Sequence, residues 1–263
     1  MKYFDAHCHI QFDPYDEDRA AVIRNMQEKE VGGMVVGVNL DSSVKALKLV
    51  ENLPGFYAAA GLHPNYVLEE AFDKDSFRAI LMHPKMKAVG ECGLDNFRPK
   101  DVEIAKGEQR KVFESHIELA IAADKPMMIH SRPSKGTQDA YRDMIDILRA
   151  YKQEHGERLR GDIHFFVGGV DEARDFVDLG FTLSYTAVLT FARDYDDVVR
   201  YLPLESIITE TDAPYVAPTR IRGQRNEPVS VIDVVDAIAG IRGQDHEVVR
   251  EAVLKNATRL FSL

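Results

Sequence analysis

The segment KAVGECG, residues 87–93, is small or apolar along nearly its whole length and yet carries Glu91. Such a run suits a parallel strand buried on both faces, where a carboxylate is costly unless a cation or several donors meet it. Seven other segments have strand character: YFDAHCH (3–9), GMVVGVN (33–39), FYAAAGLH (56–63), PMMIHS (126–131), DIHFFV (162–167), FTLSY (181–185) and SIITETD (206–212). Longer amphipathic stretches separate them. One runs through Val112, His116, Leu119 and Ala123, another through Val231, Val234, Val235, Ile238 and Ile241. In the second, Ser230 and Asp233 behind Pro228 have the spacing of a capping box. Buried strands alternating with helices predict an α/β fold, a (β/α)8 TIM barrel occupying residues 1–263 as one domain. A doubly wound sheet is the runner-up, but its G-x-G-x-x-G turn after the first strand is missing.

The first strand, FDAHCHI (4–10), carries an Asp and two His at every second position. Alternation predicts Asp5, His7 and His9 on one face, with Ala6, Cys8 and Ile10 on the other. Alone, an H-x-H is better read as a solvent-facing edge. It has company: His63 closes the third strand, Glu91 the fourth, His130 the fifth, His164 the sixth and Asp212 the eighth. In a parallel barrel the C-terminal strand ends form one mouth, which is where such barrels carry their active sites. Each residue has a plainer reading by itself. His63 could cap a strand before Pro64, His130 and His164 could be satisfied core histidines, and Asp212 could be a helix N-cap. Together they form the ligand set that Zn²⁺, Mn²⁺ and similar ions accept, and we read a metal site. His83, His116, His155 and His246 read as structural or solvated. Cys8 and Cys92 read as packed free thiols, with no base beside them to make a nucleophile.

A formal net charge of -10 excludes a protein that coats nucleic acid by bulk electrostatics, though not a local basic mouth. No apolar run approaches the ~18 residues of a membrane span, and the N-terminus lacks a signal-peptide core. The expectation is a water-soluble, cytoplasmic protein with no membrane or obligate protein partner.

With these residues in view, the chain resembles the TatD family of metal-dependent hydrolases in the amidohydrolase superfamily. The resemblance rests on FDAHCH (4–9), GLHP (61–64), VGECGLD (89–95), KPMMIHSR (125–132), IHFF (163–166), ETDAPY (210–215) and RGQRNEP (222–228). It implies two divalent ions (Zn, Mn or Mg), one held by His7, His9, Glu91 and Asp212, the other by His130, His164 and the same Glu91. It further implies His63 as a substrate-positioning residue and metal-dependent, often exonucleolytic, DNase activity. The chain departs from the family at Asn96 and Phe97, where paired aromatics are common, at FFVGG (165–169), and at Gln224, where Lys is usual.

Three functions compete. The first is a phosphodiesterase acting on DNA or RNA ends, with Asp212 as proton acceptor, Glu91 and His63 in the catalytic set, and Arg132, Arg220, Arg222 and Arg225 as candidate phosphate contacts. The alternative is a carboxylic ester or amide hydrolase, such as an aminoacyl-tRNA deacylase, using the same binuclear site. A non-catalytic binding barrel is the third, disfavoured because a structural zinc site would be closed.

Overall fold

The computed structural model describes residues 1–99 and 102–263. Eight strands, β1 (Tyr3–Cys8), β2 (Val31–Val36), β3 (Phe56–Ala60), β4 (Met86–Asp95), β5 (Met127–Arg132), β6 (Gly161–His164), β7 (Thr182–Tyr185) and β8 (Ile207–Thr209), pair in chain order, every neighbour parallel. The ring closes just beyond β8: Asp212 N donates to His7 O at 2.9 Å and His9 N to Ala213 O at 2.8 Å. Helices α1 (Arg19–Glu28), α2 (Leu40–Val50), α3 (Lys74–Leu81), α4 (Val102–Ala123), α5 (Asp139–His155), α6 (Val170–Asp178), α7 (Asp196–Tyr201), α8 (Val231–Arg242) and α9 (His246–Phe261) surround it. The expected TIM barrel is therefore present. Several strands are shorter than their apolar runs: β2, β3, β6 and β8 stop at 36, 60, 164 and 209, so His63 and Asp212 lie in the loops that leave the strands.

Two apolar layers hold the barrel. The larger packs the outward strand faces against the helices. The smaller fills the interior with Phe4, Ala6, Met34, Val36, Ala59, Ala88, Met128 and Ile208, and Ala257 and Phe261 of α9 join it. The register Val36–Ala59–Ala88 makes one interior layer of small side chains, the packing a narrow eight-stranded barrel allows.

Two bulges correct the expected alternation. On β1, Asp5 pairs with Gly33 but Cys8 pairs with Val35; on β4, Val89 pairs with Met127 but Cys92 with Ile129. Each strand thus carries one extra residue, which flips the side chains beyond it to the opposite face. Asp5 consequently does not share a face with His7. It sits on the side of Gly33 and Cys8, accepting from Thr211 N (2.9 Å), Thr211 Oγ1 (2.6 Å) and His7 N (3.2 Å). Gly90 makes the second bulge feasible: its φ is +149°, and a Cβ there would lie 2.2 Å from Met128 O. Cys8 and Cys92 are buried free thiols, as expected. The capping box at α8 does not form; Ser230 makes no side-chain cap, and both Asp233 oxygens are taken by Arg220.

Candidate metal and catalytic centre

The β1 bulge turns His7 inward and the β4 bulge turns Glu91 inward, so residues from opposite sides of the ring meet near its axis. Glu91 Oε2 lies 3.4 Å from His7 Nε2 and 3.8 Å from His9 Nε2. Glu91 Oε1 lies 3.1 Å from His130 Nδ1, 3.2 Å from His164 Nε2 and 3.3 Å from His63 Nε2. Asp212 Oδ1 stands 3.5 Å from His9 Nε2 and 3.9 Å from His7 Nε2. One carboxylate thus presents each oxygen to a different group of imidazoles. Burial pushes the Glu91 carboxyl up, but His63, His7, His164 and His130 around it hold it well below the carboxylate range.

Hydrogen bonds on the far ring nitrogens show which histidines can ligate. His9 Nδ1 meets Val36 O at 2.8 Å, and a carbonyl can only accept, so Nδ1 carries the proton and Nε2 presents its lone pair inward. His164 Nδ1 donates to Glu210 Oε2 (2.9 Å), and His130 Nε2 donates to Asp95 Oδ2 (3.2 Å), leaving His164 Nε2 and His130 Nδ1 as lone pairs aimed at Glu91. His63 is the reverse. Its Nδ1 accepts from Asn65 N at 3.1 Å, so its Nε2 bears the proton and donates to Glu91. With His130 and His164 neutral, their lone pairs face an anionic oxygen, a conflict that either a proton or a metal ion between them resolves, so this donor set fits divalent metal. His7 and His9 Nε2 are 3.1 Å apart, the edge expected of ligands with metal–nitrogen bonds of about 2.0–2.1 Å. Burial lowers the affinity of His164 for a proton, but Glu210 and Glu91 outweigh it and raise its pKa well above the usual value. Acid therefore competes with metal here.

The backbone around these groups is unusual. Phe165, next to His164, and Asp212 both occupy left-handed φ, at 51° and 53°. Such conformations persist in non-glycine residues only where surroundings impose them. Phe165 N donates to Glu210 Oε1, and Tyr215 N to Asp212 O.

The centre opens into a cavity of about 610 Å³ lined by His9, His63, Glu91, His130, His164 and Asp212 together with Phe12, Tyr66, Arg98, Arg132 and Tyr215. Arg132, a candidate phosphate contact, is on the lining. Arg222 and Arg225 do not line it: Arg222 stacks on Phe191 at 3.6 Å, and Arg225 grips Asp18 with two bonds over the Tyr15 ring. Three participants were not anticipated. Glu210 and Asp95 were within quoted motifs but had no assigned role, and a buried carboxylate two residues before Asp212 was the available signal for Glu210. Arg98 carried no sequence signal; its place follows from its bond to Asp95.

Residues 4–262 match the TatD related DNase family. The chain belongs to the TatD family. A metal-dependent hydrolase of Bacillus subtilis, YabD, is 32% identical over 99% of this chain and 99% of its own length. A metal-dependent hydrolase of Mycobacterium tuberculosis, TatD, is 33% identical over 98% of this chain and 97% of its own. The crystal structure of YjjV, a TatD homologue from Escherichia coli, superposes with a TM-score of 0.89 at 28% identity, covering 100% of this chain and 98% of that one. The present TatD protein is accordingly a metal-dependent hydrolase. Among its described residues no helix is long and apolar enough to cross a membrane.

Proposed function

We propose that this TatD protein hydrolyses phosphodiester bonds at nucleic-acid ends, as a deoxyribonuclease, at a centre that would hold two divalent ions. His7, His9, Glu91 and Asp212 would hold one ion, and His130, His164 and Glu91 the other. The observation that carries the reading is the division of the Glu91 oxygens between two imidazole groups. Bound there, a metal pair would lower the pKa of water toward neutrality and polarise a phosphoryl oxygen.

The chain's own residues supply the rest. Asp212 is more open to solvent than Glu91, its side chain 15% exposed against 4%, and we assign it as the acceptor of the water proton. His63, fixed as an Nε2–H donor by Asn65 N, would hand that bond from Glu91 to a substrate oxygen and so orient it. Phe12, stacked on His9 with ring centres 4.6 Å apart, covers the imidazole on one side. Arg98 and Arg132 bring positive charge to the cavity of an otherwise acidic protein.

Metal-loaded protein should be assayed against single-stranded DNA, duplex DNA, RNA and charged tRNA. Cleavage of DNA, lowered about 10²–10⁴-fold by Asp212→Asn, is expected. Deacylation of tRNA without phosphodiester cleavage would replace this reading with the ester-hydrolase alternative.

A further inference from the structure

The two cations of the cavity stand differently from the protein's other loop arginines. Arg220 is committed to Asp233 and Arg225 to Asp18 and Glu227, while Arg222, stacked on Phe191, lies outside the cavity lining. The Arg132 guanidinium makes no hydrogen bond or ion pair among the described residues; it rests 4.2 Å from the centre of the Phe97 ring. Arg98 spends one nitrogen on Asp95 Oδ2 at 3.2 Å and leaves the remainder of its fork uncommitted, with its side chain 46% exposed. The two guanidinium groups repel each other, Asp95 attracts both, and their donors outnumber what that one carboxylate can accept.

Position indicates which acceptor. Asp95 pairs with Arg132 and Gly93 with His130 in the β4–β5 register, so Arg132 lies two residues farther along β5 than His130, on the same strand face. The two-residue rise is about 6.6 Å outward from the imidazole centre. That step, comparable to the spacing of neighbouring phosphates along an extended single strand, sets Arg132 toward the mouth of the cavity, where its guanidinium rests on Phe97.

The geometry points to a phosphate subsite formed by Arg98 and Arg132, which takes a phosphate adjacent to the scissile one and makes a phosphorylated nucleotide end the favoured substrate. Phe97, 48% exposed, holds the Arg132 plane in place by stacking. The assignment rests on the phosphodiesterase reading above. It differs from it in naming what the cavity selects.

The test compares thymidylyl-thymidine with its 5′-phosphorylated and 3′-phosphorylated forms on metal-loaded parent, Arg132→Ala and Arg98→Ala/Arg132→Ala proteins. Each protein is scored by its own ratio of kcat/KM for the phosphorylated over the plain dinucleotide, which cancels any damage shared by all substrates. The parent should favour one phosphorylated form by about tenfold or more, from a charge-assisted contact. Arg132→Ala should lose most of that preference and the double variant all of it, while Arg132→Lys restores part. A parent without preference, or a ratio unchanged in the double variant, overturns the subsite. Should no dinucleotide be cleaved, the phosphodiesterase reading fails, and thymidine monophosphate decides the subsite alone. A rise in melting temperature in the parent that the double variant lacks supports it, and equal or absent rises overturn it.

Discussion

His164 Nδ1 lies 2.9 Å from Oε2 of Glu210, a carboxylate with no solvent exposure whose other oxygen receives Phe165 N and Ser184 Oγ. The bond fixes the tautomer that turns His164 Nε2 toward Glu91. Glu210→Gln should weaken metal binding about 10–100-fold, the usual cost of losing a partner behind a ligating histidine. Competition with a chromophoric chelator measures it; unchanged affinity would assign Glu210 to folding alone.

His63 and His130 both contact Glu91 Oε1, yet their far nitrogens dictate opposite roles. His130→Ala should reduce the bound metal stoichiometry determined by elemental analysis. His63→Ala should leave it intact while turnover falls, and His63→Gln, whose amide can occupy the Nε2 position, should recover part of the rate. Equal metal loss in the two alanine variants would remove the distinction drawn from Asn65 N.

His116 makes stability depend on pH. It is fully buried in α4, accepts from Leu62 N at 3.0 Å through Nε2 and donates to Val112 O at 2.7 Å through Nδ1. Burial drops its pKa from 6.5 to about 4. Between those values the unfolded chain binds a proton that the folded one refuses, so stability rises with pH through this window and is lost as pH falls. The depression is worth about 3 kcal/mol at 1.36 kcal/mol per pH unit. His116→Gln should lower the urea midpoint at pH 7.5 and flatten its fall between pH 6.5 and 4. A slope as steep as the parent's would show that other groups set the acid sensitivity.

Arg225 should behave as a structural residue. It ties the segment after β8 to Asp18 and Pro14 O rather than facing the cavity. Arg225→Ala should cost about 1 kcal/mol or less in chemical unfolding, since the pair is partly exposed. The salt dependence of oligonucleotide binding should not change. A salt slope shallower by about 0.7 would restore this arginine to phosphate contact.

The barrel and the convergence of seven polar residues were legible in the amino-acid sequence. Parallel strands covered on both faces need apolar runs, and the polar residues that close those runs share one mouth whatever the details of packing. KAVGECG and MMIHSR carry both signals within a few residues. What the linear pattern could not show depends on pairing. The extra residue on β1 separates Asp5 from His7, and it is defined only against Gly33 and Val35 of β2. The role of Glu210 requires His164 from another strand, 46 residues away. Arg222 and Arg225 lie outside the cavity lining, beside Phe191 and Asp18, whereas Arg98 lines the cavity beside Asp95. Chemistry held within one strand is written locally. Register, and which charge finds a partner, are decided by long-range contacts that exist only once the ring has closed.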